Sequence, residues 1–447
     1  MPPLPPSLPI QPFTRPVRGR VTLPGSKSIT NRALLLAALC DQPVALTGAL
    51  FSDDTRLMTE ALRKLGFTVH ADEAALTLRV SDQAKGFTVG EADLFVGLAG
   101  TAARFLTALC AAATQGTYRL DGVPQMRKRP MQGLIDALRS LGADIRCTGE
   151  EGFLPVEIRA HGLRGGSVTV DARASSQMLS ALLMVAPLAS APITISVLEN
   201  SVRWPFVQMS LNMMRRFGYT SVSAHNEPLA IKVIPARHYL LPAGEFHVES
   251  DATAASYFIA LPMVTHGQLT ISDYHFVLPL QGDIQFAQLL QREGLIQGIN
   301  EHRPVHTIQK GPAIKGITAD FSTFSDTFLT LAALAPLLDG PTKITGIAHT
   351  RKQETDRVAG AARELKRLGQ HVIEADDSLE IHPRPLTPGT EIETYHDHRF
   401  AMSFAILGCH DLLKNGNAWL TIKDPGCCAK TFPAFFDLLA ELRAGAH

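Results

Sequence analysis

The chain has 447 residues, with 42 Lys and Arg against 42 Asp and Glu, and 45% of its residues are hydrophobic. This composition is typical of a globular protein of two or three domains and excludes a disordered or coiled-coil chain. The zero net charge argues against binding to nucleic acid or a membrane surface, because such proteins need an excess of cations. Any anion site must therefore be local.

Cysteine usage and hydropathy bear on where the chain resides. The six cysteines form no C-x-x-C pair, so they predict neither a disulfide framework nor a zinc site. The longest apolar run, Met178 to Leu188, is too short to cross a bilayer. We therefore expect a cytoplasmic chain with no membrane partner, no nucleic-acid partner and no bound metal.

Amphipathic helices recur along the chain at a constant interval. Between Thr55 and Leu65 apolar residues follow helical spacing and Gly66 comes next, which is typical of a helix with a C-terminal glycine. Similar segments end at Gly142, Gly218, Gly294 and Gly369. The five glycines lie 76, 76, 76 and 75 residues apart, and this spacing predicts a repeated structural unit.

A second series of helices runs in phase with the first. These helices are rich in Ala and Leu on every face and should therefore be buried. They are predicted at Ser28 to Cys40, Thr101 to Ala113, Ser176 to Ala189, Ala252 to Val264, Ser325 to Leu337 and Arg399 to Gly408. One inner helix, one outer helix and the strands between them give six units, which predicts an α/β or α+β fold.

Six units of this size suggest two lobes of three. The breaker-rich segments Leu23-Pro24-Gly25 and Leu241-Pro242-Ala243-Gly244 are the expected boundaries. We expect one lobe at residues 25–243 and a discontinuous lobe of residues 1–24 with 244–447. The chain would then cross between lobes twice and form a hinge.

Cationic and hydroxyl side chains gather where the buried helices begin. The first such run is Pro24-Gly25-Ser26-Lys27-Ser28, with Arg32 one turn later. Helix N-termini favour anions through their free N–H groups and dipole, and Lys or Arg side chains can reach the same ligand. Comparable runs start at Gly100, Ser175, Asp397 and Cys427, so a polyanionic substrate is expected.

Six runs taken together closely resemble the 5-enolpyruvylshikimate-3-phosphate (EPSP) synthase family, over the length from Val21 to Leu442. They are Leu23 to Ser28, Gly97 to Arg104, Ser175 to Gln177, Glu354 to Arg357, Asp397 to Arg399 and Asp424 to Pro433. The resemblance implies a two-lobed enolpyruvyl transferase fold of six βαβαββ units, three per lobe. It also implies an active site in the cleft between the lobes, closing on shikimate 3-phosphate and phosphoenolpyruvate.

The resemblance also assigns residues to each substrate. Shikimate 3-phosphate is assigned to Lys27, Ser28, Arg32, Ser175, Ser176, Gln177, Asp326 and Gln353. Phosphoenolpyruvate is assigned to Lys27, Gly100, Gln125, Gln177, Arg357, Arg399 and Lys430. No cofactor is expected, because Lys and Arg can meet the charge that develops.

The implied reaction adds the substrate's hydroxyl to C2 of phosphoenolpyruvate while C3 is protonated, after which phosphate leaves and the proton is removed. This sequence needs proton-transfer groups. The resemblance assigns that work to Asp326 and Glu354, with Lys27 as a further catalytic residue. Burial in a closed cleft can raise the pKa of a carboxyl group enough for it to act as acid and base.

Four positions depart from the family pattern. Leu98 stands for an asparagine, Gln125 is expected to replace an arginine that binds phosphoenolpyruvate, and Gln353 replaces a lysine. Arg203 is a further irregularity. Two lost cations would weaken binding of phosphoenolpyruvate and of glyphosate, which inhibits the family at that site. Arg127, Lys128 and Arg351 are the candidates to compensate for the lost cations.

Two other functions stay open at this point. A transferase with another acceptor, UDP-N-acetylglucosamine, resembles this family in fold but carries a cysteine in the loop that corresponds to Leu120 to Pro130, where this chain has none. A catalytically silent polyanion-binding relative would tolerate the lost cations, but the presence of Asp326 and Glu354 argues against it. We expect a monomer acting on small-molecule substrates.

Overall fold

The computed structural model of this chain describes residues 4–82, 86–198, 204–226 and 229–445. Two compact units are present: unit 1 is formed by Met1–Pro24 with Ser250–His447, and unit 2 by Gly25–Glu249. The second boundary lies six residues beyond the expected position, because Glu245–His247 pairs in parallel with Val44–Thr47 of unit 2. None of the helices in the described ranges has the length and apolar character needed to cross a membrane.

The strands are short and distributed along the whole chain. In unit 1 they are β1 (Ser7–Pro9), β2 (Arg18–Thr22), β15 (Gln268–Ser272), β16 (Ile296–Gln297), β17 (His306–Lys310), β18 (Thr318–Asp320), β19 (Thr342–Thr345), β20 (His371–Ala375), β21 (Ser378–His382), β22 (Thr390–Ile392) and β23 (Leu420–Lys423). In unit 2 they are β3 (Val44–Thr47), β4 (Thr68–Asp72), β5 (Thr77–Ser81), β6 (Glu91–Phe95), β7 (Thr117–Asp121), β8 (Asp144–Cys147), β9 (Val156–Arg159), β10 (Gly166–Val170), β11 (Ile193–Val197), β12 (Val222–Asn226), β13 (Leu229–Val233) and β14 (Glu245–His247).

The helices alternate with these strands. Unit 2 contains α1 (Lys27–Ala38), α2 (Asp53–Lys64), α3 (Gly100–Ala112), α4 (Pro124–Arg127), α5 (Gln132–Ser140), α6 (Ser176–Val185) and α7 (Trp204–Arg216). Unit 1 contains α8 (Ala252–Thr265), α9 (Gln285–Arg292), α10 (Phe328–Leu334), α11 (Arg357–Arg367), α12 (His398–Gly408) and α13 (Phe435–Ala444).

Within the described ranges, five sheets share one pattern of pairing. In the order β6-β7-β9-β8 the first pair is parallel and the next two pairs are antiparallel, and four other sheets follow the same rule. The sixth has three strands, in which β22 and β23 are parallel and β1 pairs antiparallel with β23. The βαβαββ repeat is thereby confirmed.

The first repeat of each unit takes its first strand from a distant part of the sequence. In unit 2, β14 pairs in parallel with β3, so Phe246 lies opposite Leu46. In unit 1, β2 pairs with β15, so Gly19 lies opposite Leu269. The strand that precedes each crossing therefore completes a sheet of the unit that the chain is leaving.

The two predicted helix series are confirmed. All five glycines that end the outer helices have a positive φ, between 72° and 99°, which a glycine adopts without steric cost. The inner helices form the cores: every residue of α3 and of α12 is buried. Within unit 2, α3 packs against α1 and α6, and within unit 1, α12 packs against α8 and α10.

Two inner helices are shorter than expected. Helix α6 ends at Val185, and α10 ends at Leu334, each followed by a 3-10 helix that contains a proline, Pro187 or Pro336. A proline has no N–H to continue the α-helical bonding pattern, so the last turn tightens. Helix α10 also begins late, because Ser325–Thr327 forms a separate 3-10 helix.

Candidate active site

The residues assigned to substrates fall into two groups, one in each unit, and most of them stand where a helix begins. In unit 2, Lys27 is the first residue of α1, Gly100 is the first of α3 and Ser176 is the first of α6. In unit 1, Arg357 opens α11 and Arg399 is the second residue of α12. The repeated fold therefore delivers these side chains at helix N-termini, where the dipole favours an anion.

Asp326 is held by two arginines of unit 1. It lies in the 3-10 helix ahead of α10, with 16% of its side chain exposed. Arg399 donates from Nη2 to Asp326 Oδ2 at 2.6 Å, and Arg357 donates from Nη1 to Oδ1 at 3.4 Å. The carboxylate is therefore bound by side chains from the first turns of α11 and α12.

Glu354 is held by two cations as well. Its side chain is 9% exposed in the turn before α11. Lys430 donates to Glu354 Oε1 at 2.7 Å, and Arg357 Nη2 donates to Oε2 at 2.9 Å. Arg357 thus contacts both of the carboxylates that are expected to transfer protons.

Arg357 is the centre of this group. It is buried, and its Nε donates to Asp397 Oδ2 at 2.7 Å, while its Nη1 donates to the side-chain oxygen of Gln353. Burial disfavours the charged guanidinium, but the carboxylates of Asp397 and Glu354 outweigh that penalty and raise the pKa of Arg357. The cation is therefore fixed in charge and orientation.

Arg399 is similarly fixed. Burial opposes its charge, yet Asp326 and other acidic groups around it raise its pKa above the usual value. Asp397, which is wholly buried, accepts a bond from the Arg399 backbone N–H at 3.0 Å and caps α12. The Asp397 carboxylate thereby bonds the Arg357 guanidinium and also caps the helix that carries Arg399.

In unit 2, Gly100 lies against two guanidinium groups. A Cβ atom at this position would come within 2.5 Å of Nη1 of both Arg104 and Arg129, so a larger residue would displace the two guanidinium groups. Arg104 donates to the Gly100 carbonyl at 3.0 Å and to Gln177 Oε1 at 3.4 Å. Gln177 in turn donates to the Thr101 hydroxyl at 3.1 Å. Gly100, Gln177 and two arginines therefore form one cationic cluster at the start of α3.

Lys27 forms an ion pair with a residue that the sequence did not suggest. Its Nζ lies 3.2 Å from Asp54 Oδ2, and their side chains are 13% and 4% exposed. Gly25, two residues earlier, is required by close packing, because a Cβ there would lie 2.0 Å from the Gly48 carbonyl oxygen. Ser28 is half-buried in the first turn of α1.

Arg32 lies deeper than the other cations. It is buried, and it donates to the hydroxyls of Ser210 at 2.8 Å and Ser180 at 3.3 Å, and to the Ser28 carbonyl at 3.0 Å. Its guanidinium lies 5.3 Å from the centre of the Phe105 ring. Burial lowers the pKa of Arg32 to about 9. In this structure it joins α1 to α6 and α7.

The structure also locates the cations that were expected to compensate for Gln125. Arg127 is half exposed and forms a two-pronged bond with Asp121, at 2.9 and 2.5 Å. Lys128 is exposed, and Arg351 pairs with Asp356 and Glu374. Besides Arg104, the cation that reaches Gly100 is Arg129, which the sequence did not single out. Residues 127–129 are three consecutive cations, and their spacing does not show which one reaches Gly100. The turn that follows α4 decides that it is the third.

The remaining predicted residues are placed as follows. Ser175 caps α6 by accepting the Gln177 N–H at 3.2 Å, and Ser176 is buried in the first turn. Gln125 lies half-buried in α4. Arg203 lies outside the described residues.

Comparison with known proteins decides the family. The model of the family EPSP synthase (3-phosphoshikimate 1-carboxyvinyltransferase) matches residues 13–439. A 3-phosphoshikimate 1-carboxyvinyltransferase of Opitutus terrae is 60% identical over 99% of this chain and 98% of its own length, and one from a Nostoc species is 41% identical over 95% and 96%. The chain belongs to the EPSP synthase family.

Solved structures agree with this assignment. An EPSP synthase from Acinetobacter baumannii superposes with a TM-score of 0.79 at 25% identity, covering 98% of each chain. The enolpyruvyl transferase NikO from Streptomyces tendae shares the fold, with a TM-score of 0.75 at 17% identity, over 98% of this chain and 97% of its own. The chain therefore has the enolpyruvyl transferase fold. It is an enzyme, a 3-phosphoshikimate 1-carboxyvinyltransferase of aromatic amino-acid biosynthesis. The alternatives of another acceptor or of a silent relative are not favoured.

Proposed function

We propose that this chain carries out its reaction with the two groups of residues described above. The reaction transfers the enolpyruvyl group of phosphoenolpyruvate to the 5-hydroxyl of shikimate 3-phosphate and releases phosphate. The observation that carries the proposal is that Arg357, Arg399 and Lys430 already hold Asp326 and Glu354 by bonds of 2.6 to 3.4 Å. Cations for an anionic substrate and carboxylates for proton transfer thus share one cluster of unit 1.

Phosphoenolpyruvate would bind by taking over part of this cluster. Its carboxylate and phosphate would accept from Arg357, Arg399 and Lys430, replacing bonds that these cations now make to protein carboxylates. Each charge-assisted hydrogen bond to a protein carboxylate, worth about 1.5–3 kcal/mol, would be replaced by a similar bond to the substrate. The exchange would therefore cost little free energy, and the charges of the cations would stay neutralised. In unit 2, Gly100, Gln177 and Arg129 would supply a further anion contact, with Lys27.

Shikimate 3-phosphate is assigned to the helix starts of unit 2. Ser28, Ser175 and Ser176 offer hydroxyls beside the N-termini of α1 and α6, and Gln177 links them to the cationic cluster. Asp326 and Gln353 of unit 1 belong to the same assignment. Arg32 would act indirectly, by donating to the Ser28 carbonyl and so fixing the first turn of α1.

The two carboxylates have separable roles. Glu354 shares Lys430 and Arg357 with the expected phosphoenolpyruvate site, so it is the residue to protonate C3 and later to remove that proton. Asp326 is assigned to the other substrate and would accept the proton of the 5-hydroxyl as the C–O bond to C2 forms. Phosphate then leaves C2 with the electrons of its C–O bond. As Glu354 removes a proton from C3, the electron pair of that C–H bond forms the C2–C3 double bond.

The function is tested with both substrates. Phosphate should appear only when shikimate 3-phosphate and phosphoenolpyruvate are both present, with no added metal. UDP-N-acetylglucosamine serves as the control acceptor, and equal phosphate release with it would overturn the proposal. Cytoplasmic location and a monomeric state remain proposals that rest on the sequence.

A further inference from the structure

A carboxyl group that the mechanism does not use, Asp283, lies buried near Asp326 in unit 1. Asp283 sits in a 3-10 helix, Gly282–Ile284, with 5% of its surface exposed. The segment is fixed to the start of α8, because the Gln281 side chain accepts the Ala252 N–H at 3.0 Å and donates to the Ser250 carbonyl at 2.7 Å. This 3-10 helix also packs against the one that carries Asp326.

Charged and titratable groups surround Asp283 on several elements. Asp326 precedes α10, Arg399 lies on α12, Asp251 caps α8, and Tyr274 follows β15. Arg399 is the cation among them, and its Nη2 is already bonded to Asp326 at 2.6 Å. Within the described residues Asp283 forms no ion pair, and its Oδ1 and the Tyr274 hydroxyl find no hydrogen-bond partner.

A buried carboxylate without its own cation is costly, and such a group takes up a proton instead. Burial first, and the neighbouring Asp326 second, raise the pKa of Asp283 well above its usual value. Of the two neighbouring carboxyl groups, Asp326 makes the bond to Arg399 at 2.6 Å, so Asp283 is the one expected to take up the proton.

We propose that Asp283 is a positioning residue that works as a neutral acid. Because it carries no charge, Arg399 stays paired with Asp326. Ionised Asp283 would compete with Asp326 for Arg399 and pull the guanidinium away from the reacting groups. The enzyme would then lose activity at alkaline pH through a group that never touches substrate. This inference rests on the proposed function of Asp326 and Arg399.

The test compares the pH profiles of kcat for the wild-type enzyme and Asp283→Asn. The amide is neutral at every pH, so we expect equal kcat at pH 7, within about twofold. Above the midpoint of the wild-type alkaline limb, wild-type kcat should fall by about tenfold per pH unit while the variant stays flat. Asp283→Ser, also neutral, should remove the same limb. Asp411→Asn is the matched control, since the Asp411 side chain accepts the Gly416 N–H at 3.1 Å, and it should retain the wild-type profile.

A loss of tenfold or more at pH 7 in Asp283→Asn, or an unchanged alkaline limb, would overturn the inference. A second readout does not depend on catalysis. An acid whose pKa is raised by folding stabilises the fold below its unfolded pKa, about 3.9, and that contribution is lost as pH rises toward the folded pKa. The melting temperature of the wild-type chain should therefore fall relative to Asp283→Asn between pH 5 and 8, and parallel curves would contradict the neutral acid. Absence of phosphate release from the wild-type enzyme would instead contradict the proposed function.

Discussion

At the scale of single residues, the candidate site consists of cations that are already neutralised. Arg357, Arg399 and Lys430 hold the two carboxylates. In the proposed mechanism an incoming anion would displace a protein anion, and the released carboxyl group would become available to exchange protons. Binding of phosphoenolpyruvate would then also activate the acid.

Removing the charge of either carboxylate tests its role. We expect Glu354→Gln and Asp326→Asn each to lower kcat by about 10²–10⁴-fold, because a neutral amide cannot exchange the proton. Phosphate release under saturating substrates is the measurement, with circular dichroism to verify folding. Glu391→Gln, a change on the exposed side of β22, should leave kcat as it is. Near-normal turnover in either of the first two variants would reduce that residue to a structural role.

The two glutamines at departures from the family pattern should differ in effect. Gln353 accepts a bond from Arg357, so Gln353→Lys adds a cation beside the expected phosphoenolpyruvate site. A charged bond exceeds a neutral one by about 1.4 kcal/mol, which predicts roughly tenfold tighter inhibition by glyphosate. Gln125→Arg should change inhibition by less than about twofold, because Arg129 already lies at Gly100. The measurement is the inhibition constant of glyphosate for each variant at a fixed concentration of shikimate 3-phosphate. A larger effect of Gln125→Arg than of Gln353→Lys would contradict the placement of Arg129 and Gln353.

The order of the motifs identified the family and predicted a set of site residues, but it could not predict which of those residues pair with one another. Glu354 and Lys430 are 76 residues apart, and Asp326 and Arg399 are 73 apart. Their contacts arise because two repeats bring successive helix starts together, and no local pattern encodes that. Arg129 was missed for the same reason, since its orientation depends on a turn.

At the scale of elements, the repeated helix is the feature that sequence predicts best. The glycines marked five outer helices because a left-handed residue after a helix leaves a local signature. The sixth, α13, ends at Gly445, which lies 76 residues after Gly369. The lengths of α6 and α10 were overestimated because an apolar run continues through Pro187 and Pro336.

Two of these glycines should respond differently to substitution. At Gly142 a Cβ would meet only the flexible side chain of Arg164 at 3.0 Å, so Gly142→Ala should cost about 1–2 kcal/mol of backbone strain. At Gly218 it would lie 2.1 Å from the Leu240 carbonyl oxygen, which adds a backbone clash. Both belong to unit 2, so urea unfolding of the two variants gives a direct comparison. We expect the lower midpoint for Gly218→Ala, and equal midpoints would contradict the packing argument.

At the scale of the whole molecule, unit 2 is a continuous stretch of chain with its own sheets and core. Residues Gly25–Glu249 contain all four strands of each of three sheets, including β14. We expect this fragment to fold alone and to bind shikimate 3-phosphate more weakly than the full chain, because Asp326 and Gln353 belong to unit 1. It should release no phosphate. Cooperative thermal unfolding and calorimetric titration with shikimate 3-phosphate check this, and an unfolded fragment would contradict the independence of its core.

The pairing of β1 with β23 constrains the order in which the sheets can form during synthesis. Ser7 lies opposite Lys423, so β1 waits for a partner that leaves the ribosome 416 residues later. At about 5–20 residues per second that interval is roughly 20–80 s. Gly19 of β2 waits for Leu269, whereas the sheets of unit 2 can close as soon as β14 has emerged. Unit 2 of the nascent enzyme should therefore fold first. Until their partners emerge, β1 and β2 remain unpaired strands that need protection from aggregation.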